Sequence, residues 1–134
     1  MSLTEFFKRI DAPLANSRWS WGGVRPDGAI VLRAWQDEVK RIDDVMYVRV
    51  THHAAFEGDE DNLGFRERLK HVEAIQNGAP GFVVMCLAKD SRAVPRSIKS
   101  FNKSDVFVGG RLLEKDGDFF LELTNRVPFE TAFT

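Results

Sequence analysis

Residues 18–35 read RWSWGGVRPDGAIVLRAW. Two strand-like runs, RWSWGGV and AIVLRAW, flank Arg25-Pro26-Asp27-Gly28. Asp-Gly between such runs is the turn chemistry of a β-hairpin. The segment also carries all three tryptophans of the chain. Trp19 and Trp21, two apart, share a face if RWSWGGV is a strand. With the turn centred on Asp27-Gly28, they lie opposite Trp35 near the open end of the hairpin. The stretch therefore predicts both a strand pair and a gathering of three indoles.

Working outward, DVMYVRVTHH (44–53) reads as a third strand and AAFEGDEDN (54–62) as an acidic, solvated loop. NLGFRERLKHVEAIQNG (62–78) predicts the one long helix. Phe65, Leu69, Val72 and Ile75 form its apolar stripe, Asn62 caps it, and Asn77-Gly78 ends it. GFVVMCLA (81–88) is apolar on both parities, as expected of a strand covered on both faces. SRAVPRSIKSFNKS (91–104) is irregular or a short strand. DVFVGGRLLEK (105–115) and DFFLELT (118–124), joined by Asp116-Gly117, repeat the hairpin chemistry; Gly109-Gly110 within the first suggests a bulge or a close backbone approach. At the amino end, Ser2 and Glu5 have capping-box spacing, and Phe6, Phe7 and Ile10 share a stripe, so MSLTEFFKRI reads as a short helix. The fold class expected is α+β: a curved mixed sheet or small open barrel, with one long helix and a short N-terminal one.

The chain's 134 residues suit one domain, 1–134, with no linker or repeat that would divide it. Apolar residues make up 43% and charged residues 29%, the balance of a soluble globular protein. No apolar run is long enough to span a bilayer, and the charged amino terminus is no secretory signal. The net charge is −1, so attraction to a polyanion must come from a local patch. Cys86 is the only cysteine, which excludes an internal disulfide and a cysteine-rich zinc site and suggests a reducing, cytoplasmic setting.

Several motifs invite chemistry. Pro26-Asp27 and Glu38-Val39-Lys40 match the PD-(D/E)xK pattern of Mg²⁺-dependent nucleases, in which two carboxylates hold the metal and the lysine activates water. With Asp27 in the turn and Glu38 beyond the far end of the same strand, an extended chain separates them by roughly 35 Å, too far for one metal. His71-Val72-Glu73 has the His-x-Glu spacing of zinc deaminases but lacks their cysteine pair. His52 and His53 are adjacent on a predicted strand and point to opposite faces. Cys86 sits in the most apolar strand and reads as a small core residue. No metal and no cofactor is implied.

The indoles and the basic residues are the positive signals. Three gathered tryptophans suit stacking of a planar group, with Asn16, Arg18 and Ser20 beside them to read its edge. Ordinary core packing competes with this reading, because buried indoles usually find a carbonyl for their N–H. Trp35 is the expected core member. Trp21 is the expected pocket member, since Gly22 and Gly23 leave room beside it. Arg92, Arg96, Lys99 and Lys103 lie in a segment without an acid, and the long helix adds Arg66, Arg68 and Lys70. The competing reading is a solvated loop and a helix face paired with Glu67 and Glu73.

NSRWSWGGV (16–24), GAIVLRAWQDEV (28–39), RERLKHVEAIQNGAPGFVVMCLA (66–88) and GGRLLEKDGDFFLEL (109–123) resemble segments of bacterial proteins around HNH-type restriction endonucleases. The order of elements resembles the small-barrel modules of the PUA-like group, which includes readers of modified bases. The resemblance spans most of the chain on unspecific motifs. It implies a mixed barrel with a base held in an aromatic pocket. The chain has three histidines and no His-Asn-His signature, so the resemblance implies a recognition module without the cutting domain. The expected function is a non-enzymatic nucleic-acid-binding module that reads a modified or flipped base. Asn16, Trp19, Ser20, Trp21 and Trp35 would hold the base, and Arg92, Arg96, Lys99 and Lys103 the phosphates. The alternatives are a Mg²⁺-dependent nuclease using Asp27, Glu38 and Lys40, and a protein-interaction domain.

Overall fold

The computed structural model describes residues 1–53, 62–93 and 96–133. The acidic loop expected between the third strand and the long helix falls almost wholly outside them. Eight strands form one mixed sheet: β1 (Gly22–Val24), β2 (Ile30–Trp35), β3 (Val39–Ile42), β4 (Val45–Arg49), β5 (Gly81–Ala88), β6 (Ile98–Phe101), β7 (Asp105–Lys115) and β8 (Asp118–Pro128). The helices are α1 (Leu3–Arg9), α2 (Leu63–Gln76) and the short α3 (Phe129–Ala132). The order across the sheet is β1-β2-β5-β7-β8-β4-β3, with β6 paired to β5. The β2–β5 pair is parallel; the others are antiparallel. The protein is thus α+β, with a largely open sheet rather than a closed barrel.

The expected hairpins form, with local differences. Gly22 pairs Leu32 and Val24 pairs Ile30 around a loop in which Gly28 adopts φ 89°. RWSWGGV is not a strand throughout, however. Residues 17–19 make a turn, so Trp19 stands on that turn while Trp21 immediately precedes β1. The turn is held by short-range hydrogen bonds that compete with a ladder. Asn16 Oδ1 accepts from Arg18 N–H at 2.8 Å, and Asn16 O accepts from Ser20 N–H at 3.0 Å. The expected third strand is the fourth, because VKRI forms β3 first. Asp43 and Asp44, at φ 50° and 64°, make the tight turn between β3 and β4. Aspartate tolerates this left-handed region better than most residues, which is why two charged side chains there conceal a hairpin. Asp116 and Gly117, at φ 53° and 85°, turn β7 into β8 as expected. The register slips on either side of Gly109, the bulge suggested by the paired glycines.

Both caps read from the sequence are present. Ser2 Oγ accepts from Glu5 N–H at 3.1 Å, and Asn62 Oδ1 accepts from Phe65 N–H at 2.9 Å. Each satisfies one of the donors a helix start leaves open. Phe6, Phe7 and Ile10 of the amino-terminal segment seal one apolar cluster with Ala12, Val31, Val84 and Val106, against which Phe129 of α3 also packs. α2 sends Val72 and Ile75 into a second cluster with Ile30, Leu32, Ala34, Val48, Val50, Val83, Met85 and Leu121. Leu32 and Val48 belong to β2 and β4, which are four strand spacings apart, about 19 Å in a flat sheet. They share one cluster because the sheet curls around α2. The alternating strand faces therefore serve two cores: Ile30 and Leu32 face one, Val31 the other.

Candidate functional site

The carboxyl end of β2 has a different character from its start. Ile30, Val31 and Leu32 are buried, and then Arg33 and Trp35 emerge half-exposed on one side of the strand. Trp21 lies across from Arg33, whose N–H donates to Trp21 O at 2.9 Å. The result is a row of alternating guanidiniums and indoles. Arg68 Cζ lies 5.6 Å from the Trp21 ring centroid. Arg33 Cζ lies 5.9 Å from Trp21 and 5.5 Å from Trp35. Arg96 Cζ lies 5.6 Å from Trp35. Each contact is a cation over a π face, worth ~0.5–1 kcal/mol when exposed and ~2 when desolvated. All three indoles of the chain are half-buried, Trp35 included, although it was the expected core member.

The two ends of the row are anchored. Arg68 is only 2% exposed, on the buried side of α2. It donates to Val50 O at 2.8 Å, Trp21 O at 2.8 Å and Arg33 O at 2.6 Å. Burial, reinforced by the neighbouring charge of Arg33, pulls its pKa down to about 9, so it remains a cation at neutral pH. Gly64 makes the approach possible: a Cβ there would stand 2.4 Å from Trp21 Nε1, so only glycine lets the indole lie against the first turn of α2. At the other end, the 3₁₀ turn Gln36–Glu38 presents two carboxylates to Arg96. Nη1 meets Asp37 Oδ2 at 2.9 Å and Glu38 Oε1 at 3.0 Å. Glu38 also bonds His52 Nε2 at 2.5 Å. Burial works to raise the Glu38 pKa, but the His52 hydrogen bond and the charges of His52, Arg96 and Arg49 outweigh it and hold it low.

Arg33, in the middle, is different. Among the described residues its guanidinium donates to no oxygen and pairs with no carboxylate. Burial holds its pKa below that of a free guanidinium, with Cys86 as the neighbour opposing that shift. Cys86 is itself sealed, and burial pushes its thiol up to about 11 despite the two arginines nearby; it stays a neutral thiol.

A second polar cluster adjoins the row through Phe65, whose ring lies 6.3 Å from Trp21 and meets His53 edge-on at 5.2 Å. Asp118 collects His53 N–H at 2.7 Å, His53 Nδ1 at 2.8 Å, Thr51 Oγ1 at 2.9 Å and an Arg49 guanidinium nitrogen. It is 5% exposed. Burial favours its neutral form, yet these hydrogen bonds and the Arg49 charge bring its pKa down to about 2. The two adjacent histidines thus serve different carboxylates, His52 on Glu38 and His53 on Asp118.

Ser20 is buried; its Oγ accepts from Asn16 N–H at 2.9 Å and donates to Glu67 Oε2 at 3.0 Å, while Glu67 Oε1 accepts from Trp21 N–H at 3.3 Å. Asn16 and Ser20 therefore shape the turn that carries Trp19 and Trp21. Trp19 is not part of the row. Of the basic segment only Arg96 joins it. Arg92, Lys99 and Lys103 stand exposed, the last over the Phe101 ring at 5.5 Å. Asp27 closes its own turn by accepting from Ala29 N–H at 3.0 Å, and it lies beyond the opposite end of β2 from Glu38. Lys40 is exposed on β3. Among the described residues no three His, Cys, Asp or Glu side chains are grouped to hold a metal, and no helix is long and apolar enough to cross a membrane.

Sequence reasoning missed Arg33 and Arg68 as members of the site. For Arg68 a signal existed: it falls three residues after Phe65 and four before Val72, on the apolar stripe, where an arginine must find internal acceptors. For Arg33 the signal was its shared strand parity with Trp35. No family model, no curated protein and no solved structure matches this chain.

Proposed function

We propose that the protein is a non-enzymatic nucleic-acid-binding module, and that an unpaired base stacks against Trp35 and Trp21. The observation that carries this reading is the alternating row Arg68-Trp21-Arg33-Trp35-Arg96, which combines π faces with positive charge in a chain of net charge −1. Aromatic faces with interleaved arginines bind single strands because every base offers a π face and every linkage a phosphate. Trp19 extends the stacking surface, and Asn16 and Ser20 hold the turn that positions it. Arg92, Lys99 and Lys103 supply phosphate contacts; Arg96, tied to Asp37 and Glu38, steadies Trp35 instead. A PUA-like arrangement, with a curved mixed sheet presenting a base site, belongs to the same proposal and is supported by the curl of the sheet around α2. A cytoplasmic setting accords with the single buried thiol.

The test is a titration of fluorescein-labelled single-stranded oligonucleotides at rising salt, with tryptophan emission followed in parallel. Three exposed cations on a single strand predict a log–log slope of roughly −2. Indole emission should change on binding. Affinity independent of salt, or no binding at low salt, refutes the reading.

A further inference from the structure

Every other well-covered arginine in the row and around it has at least one side-chain nitrogen bonded to an oxygen, although Arg25 Nε and Arg68 Nε have no hydrogen-bond partner. Arg68 meets three carbonyls, Arg96 two carboxylates, Arg49 the Asp118 carboxylate and Thr51 O, and Arg25 the Ile10 carbonyl. Arg33 alone among them donates to nothing in the described residues, although it is half-buried and held over two indoles. Five N–H donors in a fixed planar fork stand ready. Covering such a fork without acceptors is costly, so whatever covers Arg33 must bring them. The two indoles beside it favour a flat partner. Arg68, bonded among the described residues to carbonyls and not to a carboxylate, adds a second positive charge to the same field, which disfavours a partner that brings donors.

We infer that Arg33 is a base-edge reader: it forms a bidentate pair with a heterocycle carrying two adjacent acceptors, the N7 and O6 edge of guanine, while the ring stacks on the neighbouring indoles. Guanine presents two acceptors on that edge, whereas adenine presents one acceptor and one donor, which would set its amino group against the arginine. The inference rests on the proposed nucleic-acid binding and goes beyond it by naming the base and the residue that selects it. A lysine at this position would keep the charge and lose the planar fork.

The experiment uses the full chain and three thymidine oligonucleotides, each with one central guanine, adenine or 7-deazaguanine. The last keeps O6 and the ring but lacks the N7 acceptor. The expected result is that guanine binds roughly tenfold to a hundredfold more tightly than adenine, the range of a bidentate pair. 7-Deazaguanine should fall clearly below guanine. Arg33→Lys should bind all three about equally, with its unfolding midpoint measured to confirm that it folds. Equal affinity of the wild-type chain for guanine and 7-deazaguanine overturns the inference while leaving nucleic-acid binding standing. Discrimination that survives in a folded Arg33→Lys protein also overturns it. Failure to bind any of the three overturns both.

Discussion

The two halves of β2 are built on opposite principles. Over Ile30–Leu32 the strand is sealed between two apolar clusters, and each side chain contributes by being kept from water. Over Arg33–Trp35 the same strand carries a guanidinium and an indole that remain half-open. The parallel partner β5 sets Gly81, Phe82 and Val83 opposite the first half, and Val84, Met85 and Cys86 opposite the second, where all three stay buried. The first half gains stability from burial at roughly 25 cal/mol per Å² of apolar area. The second half spends part of that stability on holding charge in place. The strand teaches that rigidity and recognition need not lie on separate elements: the sealed half fixes the frame on which the open half presents its groups.

The sharpest way to break this contrast is to strike the sealed half. Leu32→Ala removes a fully buried side chain and should cost about 4 kcal/mol of stability, read by denaturant unfolding, with oligonucleotide affinity unchanged under folding conditions. A loss of affinity in folded Leu32→Ala protein would dissolve the division between the halves.

Arg68→Met comes next. It keeps much of the bulk and leaves the carbonyls of Val50, Trp21 and Arg33 without their donor, at a cost of about 3 kcal/mol. Unlike Leu32→Ala it should also weaken binding, because it frees the backbone beneath Trp21 and Arg33. Unaltered affinity would mean that the row does not depend on this anchor.

Acid sharpens the comparison without mutation. His71 is buried near Arg68, and burial first, then that charge, lowers its pKa to about 4. The unfolded chain binds this proton near pH 6.5, whereas the native state resists it. Stability should therefore decline from about pH 6.5 to 4, by up to about 3 kcal/mol. Asp118 acts in the next window. Its folded pKa of about 2 lies below the ordinary 3.8, so its contribution is present above pH 4 and lost between about pH 4 and 2, by about 2 kcal/mol. His71→Gln should flatten the first step and leave the second. A single step, insensitive to that substitution, would assign the acid response elsewhere.

The smallest effect concerns the open half. Trp35→Ala should lower oligonucleotide affinity by about 1.5 kcal/mol, roughly tenfold, while Trp19→Ala, outside the row, should lower it less. Equal losses would extend the binding surface to the whole 16–21 turn.

The local devices follow from neighbouring residues alone. Ser2 and Asn62 cap their helices, Asp27-Gly28 and Asp116-Gly117 turn their hairpins, and GFVVMCLA is a strand covered on both faces over Val83–Cys86. Each rests on groups a few residues apart, whose preferences hold whatever the rest of the chain does. Where local preference is divided, pattern misleads: Asn16 and Ser20 bend the start of RWSWGGV into a turn, and Asp43-Asp44 hides the β3–β4 hairpin. The site, in contrast, exists only where distant segments meet. Arg68 becomes an anchor because three carbonyls, from the residue before β1, the second half of β2 and the residue after β4, converge on one helix position. Arg96 becomes a neighbour of Trp35 because Asp37 and Glu38, more than fifty residues earlier, take hold of it. Arg33 stands apart because no acceptor among the described residues converges on it. Hydrogen bonds and ion pairs act over a few ångströms and are indifferent to sequence separation, so which polar group is satisfied is known only once distant segments share a place.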